Sequence, residues 1–404
     1  MEQVLYKLPD GWVWHSVKKL SHNIQYGHTA KAESNGNAKF LRITDIQDGK
    51  IDWQGVPTVS LEEKEINKYA LNDDDLIFAR SGATAGKSIL IKNAPKDAVF
   101  ASYLIRIVPN KKDIIPEYLS YFFLTPAYWE VVGQNAAGAA QPNINGTKLS
   151  EFIVPVAPQG EQKRIVEKLD ALLTRIDAAI KHLQESGTLA NALLKNGLSE
   201  IFESLKYSYG VVPLSSVVKI NSGIALPKLF KNGFSDGGIP FFKVAQMNNH
   251  HENMVEPEIT FNEKVAKEHK IKLFPKGSTL IPKRGGAILT NKKRMLLEDA
   301  SYDSNIMGLK ADESKISDDY LFAFMRIIDL ANFVDASTIP QVNNKHIDQM
   351  KIPLASQEEQ ADVVSRVNLL VKKVEVMNSE IQSQLDDLQA LKNSILDSAF
   401  KGEL

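Results

Sequence analysis

Apolar residues fall in two different rhythms along this chain. From Ile165 they recur as Ile165, Leu169, Leu172, Ile176, Ala179 and Leu183. Those alternating steps of four and three mark a heptad seam on one face of a helix. The seam slips around Gly187 and resumes at Leu194, Leu198, Ile201 and Leu205; the 11 residues from Leu183 to Leu194 are a shift of the kind that locally unwinds a supercoil. The rhythm returns at Val363, Val367, Leu370, Val374, Met377, Ile381, Leu388, Leu391 and Ile395. Both stretches are nearly free of Pro and aromatic residues. At about 45 residues each, they predict two helical rods of roughly 65 Å. Gly187 and Gly197 each cost about 1 kcal/mol relative to Ala inside a helix, which leaves the first rod open to a kink or break. Elsewhere the pattern is different. Residues 1–155 and 206–353 carry short runs rich in Phe, Tyr, Ile and Val between clusters of Gly, Pro, Asn and Asp. This predicts short strands with a few helices, an α+β globule in each case. PEYLSYFFLTPAYWEVV (116–132), with Pro at its start, reads as the best helix of the first globule.

The two halves repeat. At an offset of 198 residues, Pro142 matches Pro340, Asn145 matches Asn343, Pro155 matches Pro353, Gln159 matches Gln357, and Glu161-Gln162 matches Glu359-Gln360. Val166 pairs with Val364 and Leu172 with Leu370 in the same way. Weaker echoes precede these in the same order: KFLRITDI (39–46) with PFFKVAQM (240–247), DLIFARSGA (75–83) with TLIPKRGGA (279–287), and PEYLSYFF (116–123) with DDYLFAFM (318–325). The chain therefore divides into four segments: a globule over 1–155, a long helix over 156–205, a second globule over 206–353 and a second long helix over 354–404. One apolar stripe on a long helix needs a partner, and the second helix supplies it. Because a globule separates the helices in sequence, they are expected to pair as an antiparallel coiled coil in a pseudo-two-fold dumbbell. The alternative is that each helix packs on its own globule.

Composition narrows the chemistry. The chain of 404 residues has no cysteine, which excludes thiolate catalysis, disulfides, Cys-ligated zinc and iron–sulfur clusters. The 48 Lys+Arg nearly cancel the 49 Asp+Glu, so a uniformly basic coat is excluded but a basic patch is not. Cations slightly outnumber anions over 1–150 and 206–352, and the reverse holds over 151–205 and 353–404, which suits globules that touch phosphate and rods that touch protein. No apolar run approaches the roughly 18 residues of a membrane span, and the first residues lack a signal-peptide pattern. A cytoplasmic protein without membrane contact is expected.

Catalytic motifs do not emerge. Gly82-Ala-Thr-Ala-Gly86-Lys87-Ser88 has three residues between its glycines, where a phosphate-binding loop needs four; it reads as a turn carrying basic side chains. His250 and His251 are adjacent, with no metal-ligand spacing, and Asp73-Asp74-Asp75 reads as a turn before an apolar run. There is no GxSxG, no Asn-Pro-Pro-Tyr-type string and no glycine-rich cofactor loop. What remains is binding chemistry. Arg80 and Lys87 follow the DLI run, and Lys283, Arg284, Lys292, Lys293 and Arg294 follow TLI. Such cations can read guanine edges or neutralise phosphate. Gln141, Asn143 and Asn145 in one copy, and Gln341, Asn343 and Asn344 in the other, offer amides suited to adenine. Arg42 and Lys243, in KFLRITDI and PFFKVAQM, complete the candidates. Each cluster also has a plain reading as an ordinary polar turn.

The sequence resembles the specificity subunits of type I restriction–modification enzymes over almost its whole length. LPDGWVWHSVKKLS looks like that family's opening, and VPVAPQGEQKRIVEKLDALLTRIDAAI looks like its central conserved region. IPLASQEEQADVV and LKNSILDSAFKGEL resemble its distal conserved region. The first helix ends LLKNGLSEIFE and departs from the fuller string. The resemblance implies that the globules are target-recognition domains reading the two halves of an asymmetric site on double-stranded DNA. The helices would set the spacer and dock two methyltransferase (modification) subunits, with Glu161, Gln162, Glu359 and Gln360 as docking residues. It also implies restriction and translocase subunits as further partners. S-adenosylmethionine, ATP and Mg would be held by those partners and no cofactor by this chain, which would itself be no enzyme. Two competing readings are a two-headed coiled-coil adaptor for proteins or glycans and an intrinsic nuclease.

Overall fold

The two heptad stretches form single helices, Gln159–Tyr209 and Gln357–Lys401. The second begins on Ser356, whose Oγ accepts from the Glu359 N–H at 3.3 Å, with Glu358 and Glu359 in the positively polarised first turn. The structure, a computed structural model, describes residues 6–47, 49–136, 143–230, 233–334 and 339–404. It divides into two compact units, Met1–Leu183 with Gln382–Leu404, and Gln184–Ile381. Each unit thus takes one globule together with parts of both long helices.

In the first unit an antiparallel four-stranded sheet runs in the order Ser21–Tyr26, Leu104–Pro109, Leu76–Ala79, Ser88–Leu90. Successive side chains of a strand point to opposite faces, and both faces are covered. Phe78, Ile105 and Ile107 pack with Tyr118, Leu119 and Phe122 of the helix Pro116–Phe122. On the other face Ile77, Ile89 and Leu104 meet Leu41 and Phe100. Those two belong to a smaller sheet of Thr58–Val59, Ala38–Leu41 and Ala98–Phe100, whose last pair is parallel. Val13–Ser16 pairs with Ile153–Val156. Ile165, Leu169, Leu173 and Ile176 of the first long helix, and Leu396, Ala399 and Phe400 of the second, enter the same core. The helices run antiparallel there: Asp177 meets Lys392 at 2.6 Å and Arg164 Nη1 donates to the Leu404 carbonyl at 2.8 Å.

The second unit repeats this plan. Its four-stranded antiparallel sheet has the order Val218–Ser222, Ile306–Ala311, Thr279–Pro282, Arg294–Met295. A second sheet holds Phe234–Asp236, Ile259–Phe261, Ile239–Phe242 and Ser301–Tyr302, and Val211–Pro213 pairs with Lys351–Pro353. Leu198, Phe202 and Leu205 from the first long helix and Val363, Val367 and Val371 from the second complete the core. Asn378 donates to Asn191 at 3.1 Å and Gly197 faces Leu370, so the helices are antiparallel here too.

Three sequence expectations change in detail. The first long helix is continuous through Gly187 and Gly197. At Gly197 an added Cβ would lie 2.8 Å from Leu370 Cδ2, so the residue is explained by close packing of the two helices and not by a break. The heptad seam holds only in part. Met377 and Leu391 are exposed, whereas Leu173, Val371 and Phe202 are buried. A 3.6-residue period drifts off a strict heptad, and each helix gives one end to each of the two cores, which the alternative of one helix per globule did not foresee. Finally, the helix expected over 116–132 is two, Pro116–Phe122 and Pro126–Ala136, because Pro126 cannot continue the ladder and disfavours helical backbone at Thr125.

Candidate nucleic-acid interface

A rim is built at one end of each four-stranded sheet. Strand Ser21–Tyr26 ends on Gly27 and strand Val218–Ser222 on Gly223. A Cβ at Gly27 would lie 2.3 Å from the Phe100 and Ala101 carbonyl oxygens, and one at Gly223 2.0 Å from that of Asp303. Only glycine lets the strand end lie against that backbone. The chain after the central strand then zips onto the segment before the short helix Gly146–Glu151 or Asn344–Gln349. In the first unit the Arg80 N–H donates to Tyr103 O at 2.9 Å, its carbonyl accepts from Ile144 N at 2.9 Å, and Ser81 bridges to Asn143. In the second the Lys283 N–H donates to Asn305 O at 2.7 Å, its carbonyl accepts from Val342 N at 3.0 Å, and Arg284 bridges to Gln341. The two loop clusters singled out in sequence, 80–87 with 143–145 and 283–284 with 341–344, are therefore contiguous in space. These bonds also correct the register of the echo DLIFARSGA/TLIPKRGGA by one residue. Arg80 corresponds to Lys283 and Ser81 to Arg284.

On these rims Lys87, Asn143, Arg284 and Asn344 are exposed and Gln341 is half-buried. Arg80 lies over the Tyr26 ring, while Lys283 Nζ donates to Ser222 Oγ at 3.0 Å. Lys283, Asn343, Asn344, Lys345, His346 and Gln349 line one open depression. Asn145 and Asn343 are N-caps, their Oδ1 atoms accepting from Lys148 N in one unit and from Lys345 N and His346 N in the other. Their carbonyl ends are thus engaged in holding the rim, which corrects their reading as plain adenine-facing amides. Gln141 lies outside the described residues.

Other candidates are placed elsewhere. Arg42 caps a turn through Asp45 with a 2.7 Å ion pair, and that carboxylate raises its pKa further. Lys243 occupies the matching turn, with Nζ 3.1 Å from Glu258. Lys292 is half-buried. Lys293 and Arg294 are buried, at 7% and 5% exposure, so they offer no free surface and are corrected as binding residues. Lys293 Nζ donates to Asn291 Oδ1 at 2.7 Å and to the Ile328 carbonyl, and burial pushes its pKa down to about 8. Arg294 is fixed by Asn249 and the Lys293 carbonyl, and burial lowers its pKa too.

The docking pairs separate in the same way. Glu161 and Glu359 are half-buried, and Glu161 accepts from the Trp12 indole at 3.0 Å. Gln162 and Gln360 are buried at 0% and 1% exposure. Gln162 accepts from Ile115 N at 2.8 Å and donates to Ala157 O and Asp113 O. Gln360 accepts from Ser317 N at 2.9 Å and donates to Ala355 O and Lys315 O. These glutamines tie helix starts to their globules, so they are corrected from docking to structural residues. Sequence reading missed Tyr26 and Lys345. For Tyr26 the available signal was an aromatic residue directly before a strand-ending glycine. Among the described residues no cluster of metal-ligating side chains occurs, and no helix is long and apolar enough to cross a membrane.

Two copies of one globule, each with a rim of cations and amides, make a protein built by internal repetition. Comparison with known proteins gives it a family. The family model "Type I restriction modification DNA specificity domain" matches residues 22–185 and 208–387, one match per repeat. The chain is 25% identical over 429 residues to the type I restriction enzyme StySPI specificity subunit of Salmonella potsdam, covering 98% of this chain and 90% of that one. It is 25% identical over 434 residues to the EcoKI specificity subunit of Escherichia coli K12, with the same coverage. In fold it is similar to a chain from the structure reported as the basis of complex assembly and conformational transition of the type I R-M system. There the TM-score is 0.77 at 19% identity, over 99% of this chain and 100% of the other. It is also similar to the HsdS subunit from Thermoanaerobacter tengcongensis, with TM-score 0.53 at 19% identity over 100% of both chains. The chain belongs to the type I restriction–modification DNA specificity family, and its role is DNA sequence recognition.

Proposed function

We propose that each globule reads one half of a bipartite, asymmetric site on double-stranded DNA and that the long helices set the unread spacer and carry two methyltransferase subunits. The carrying observation is the repetition of one rim, with the same backbone bonds at Arg80 and Lys283 but different side chains on it. Equivalent scaffolds with unlike side chains suit two unlike half-sites. This chain would supply the address and no chemistry. S-adenosylmethionine would be held by the modification subunits, ATP and Mg by restriction and translocase subunits, all in the cytoplasm where the DNA lies. The relatives' names as specificity subunits of type I restriction enzymes support this assembly. Exchanging residues 206–353 for another family member's second globule tests it. Methylome sequencing should show one half-site changed and the other kept, and a simultaneous change in both would refute independent reading. Inserting four residues, about one helical turn, within 176–183 should alter the spacer preference of the same assembly.

A further inference from the structure

We propose that Arg80 reads a guanine in the half-site of the first unit and that Tyr26 is the residue that positions it; the inference rests on the DNA-recognition reading above. The Arg80 guanidinium carbon lies 5.1 Å from the centre of the Tyr26 ring. The ring is itself anchored, its hydroxyl accepting from the Gly146 N–H at 2.7 Å at the start of the Asn145-capped helix. Arg80 Nε is buried without a hydrogen-bond partner among the described residues. The occluded Nε leaves the two terminal nitrogens as the donor edge, and neither is held by a described residue. An arginine resting on an aromatic face is pre-organised, so little freedom is lost when it binds. Two parallel N–H donors match the O6 and N7 acceptors of guanine in the major groove. Adenine offers an acceptor beside a donor and does not match. Tyr26 is 40% exposed, which leaves the stacked pair open to a partner.

The second unit lacks this device. Lys283 takes the place of Arg80, and Ser222, 3.0 Å from its Nζ, takes that of Tyr26. An ammonium is a point charge without a fork, so this position in the second unit suits phosphate and selects a base less sharply than Arg80. The two half-sites should therefore differ at their equivalent positions.

The test is selection from a duplex library with both half-sites randomised, using the full chain in complex with its modification subunits. The wild type should enrich a guanine at one position of one half-site. Arg80→Lys, which keeps the charge, should reduce that preference about tenfold or more and leave the other half-site unchanged. Tyr26→Phe, which keeps the aromatic face but loses the Gly146 bond, should retain most of the preference, whereas Tyr26→Ala should weaken it with the rest of the site intact. Arg80→Lys with unchanged base preference, and only a smaller salt dependence in Arg80→Ala, would identify a phosphate contact and overturn the proposal. A wild-type complex that enriches no sequence would overturn the underlying reading and this proposal with it.

Discussion

The ring of Phe400 lies 4.8 Å from that of Tyr118 and 5.6 Å from that of Phe122. The end of the second long helix is thereby a structural part of the first globule, some 280 residues away in sequence. Truncating a fully buried aromatic typically costs about 3–5 kcal/mol. Phe400→Ala should lower the stability of the first unit by that order, with faster hydrogen exchange in the helix Pro116–Phe122. Exchange in the second unit should not change.

Gln162 and Gln360 make the same three bonds in their two units. Removing either side chain leaves one N–H and two carbonyls without their partner; the buried Ala157 or Ala355 carbonyl should cost about 1–3 kcal/mol, and the part-buried groups less, because water can reach them. In Gln162→Ala the Ile115 amide should lose protection from exchange, and in Gln360→Ala the Ser317 amide should. Base preference should be unaffected by either.

The two helix glycines should respond unequally to the same substitution. Gly187 has only Asn378 and Ile381 side-chain atoms near it, at 4.0 Å, so Gly187→Ala should stabilise by up to about 1 kcal/mol through helix propensity. At Gly197 the new methyl meets Leu370 Cδ2, the end of a flexible side chain, at 2.8 Å, so that side chain must shift and the gain should be smaller than at Gly187. Thermal melts of the two variants decide between these outcomes.

Lys293 predicts a pH dependence. Its folded pKa, about 8, lies below the roughly 10.4 of an unfolded lysine. Between those values the unfolded chain holds the extra proton, so this residue's contribution to stability rises with pH over that window and is flat below it. The stability of Lys293→Met relative to wild type should therefore fall by up to about 3 kcal/mol between pH 8 and pH 10. A difference independent of pH would show that the ammonium is not desolvated.

Arg284 and Arg294 lie in one basic region of the sequence but should behave differently. Arg284 is exposed on the rim, and its replacement by Ala should lower the salt slope of DNA binding by about one. Arg294 is held by Asn249 inside the unit. Its replacement should destabilise the fold and leave the slope unchanged.

Periodicity and repetition determined a good deal by themselves. Apolar steps of three and four mark two long helices because only residues on one face can be buried. Recurrence of Pro155/Pro353 and Glu161-Gln162/Glu359-Gln360 marks two copies of one unit, because the same local bonds need the same residues. The loops that form the rims were visible as clusters of cations and amides, but such clusters also serve as polar turns and helix caps, as Asn145 and Asn343 do. Tertiary structure decided the rest. Arg80 and Ile144 meet only through strand pairing far along the chain, so sequence spacing could not give their register or the place of Tyr26. The sequence shows that Lys293, Arg294, Gln162 and Gln360 are polar. Whether such a group faces water or completes a buried set of hydrogen bonds depends on which distant backbone groups the fold leaves unpaired beside it.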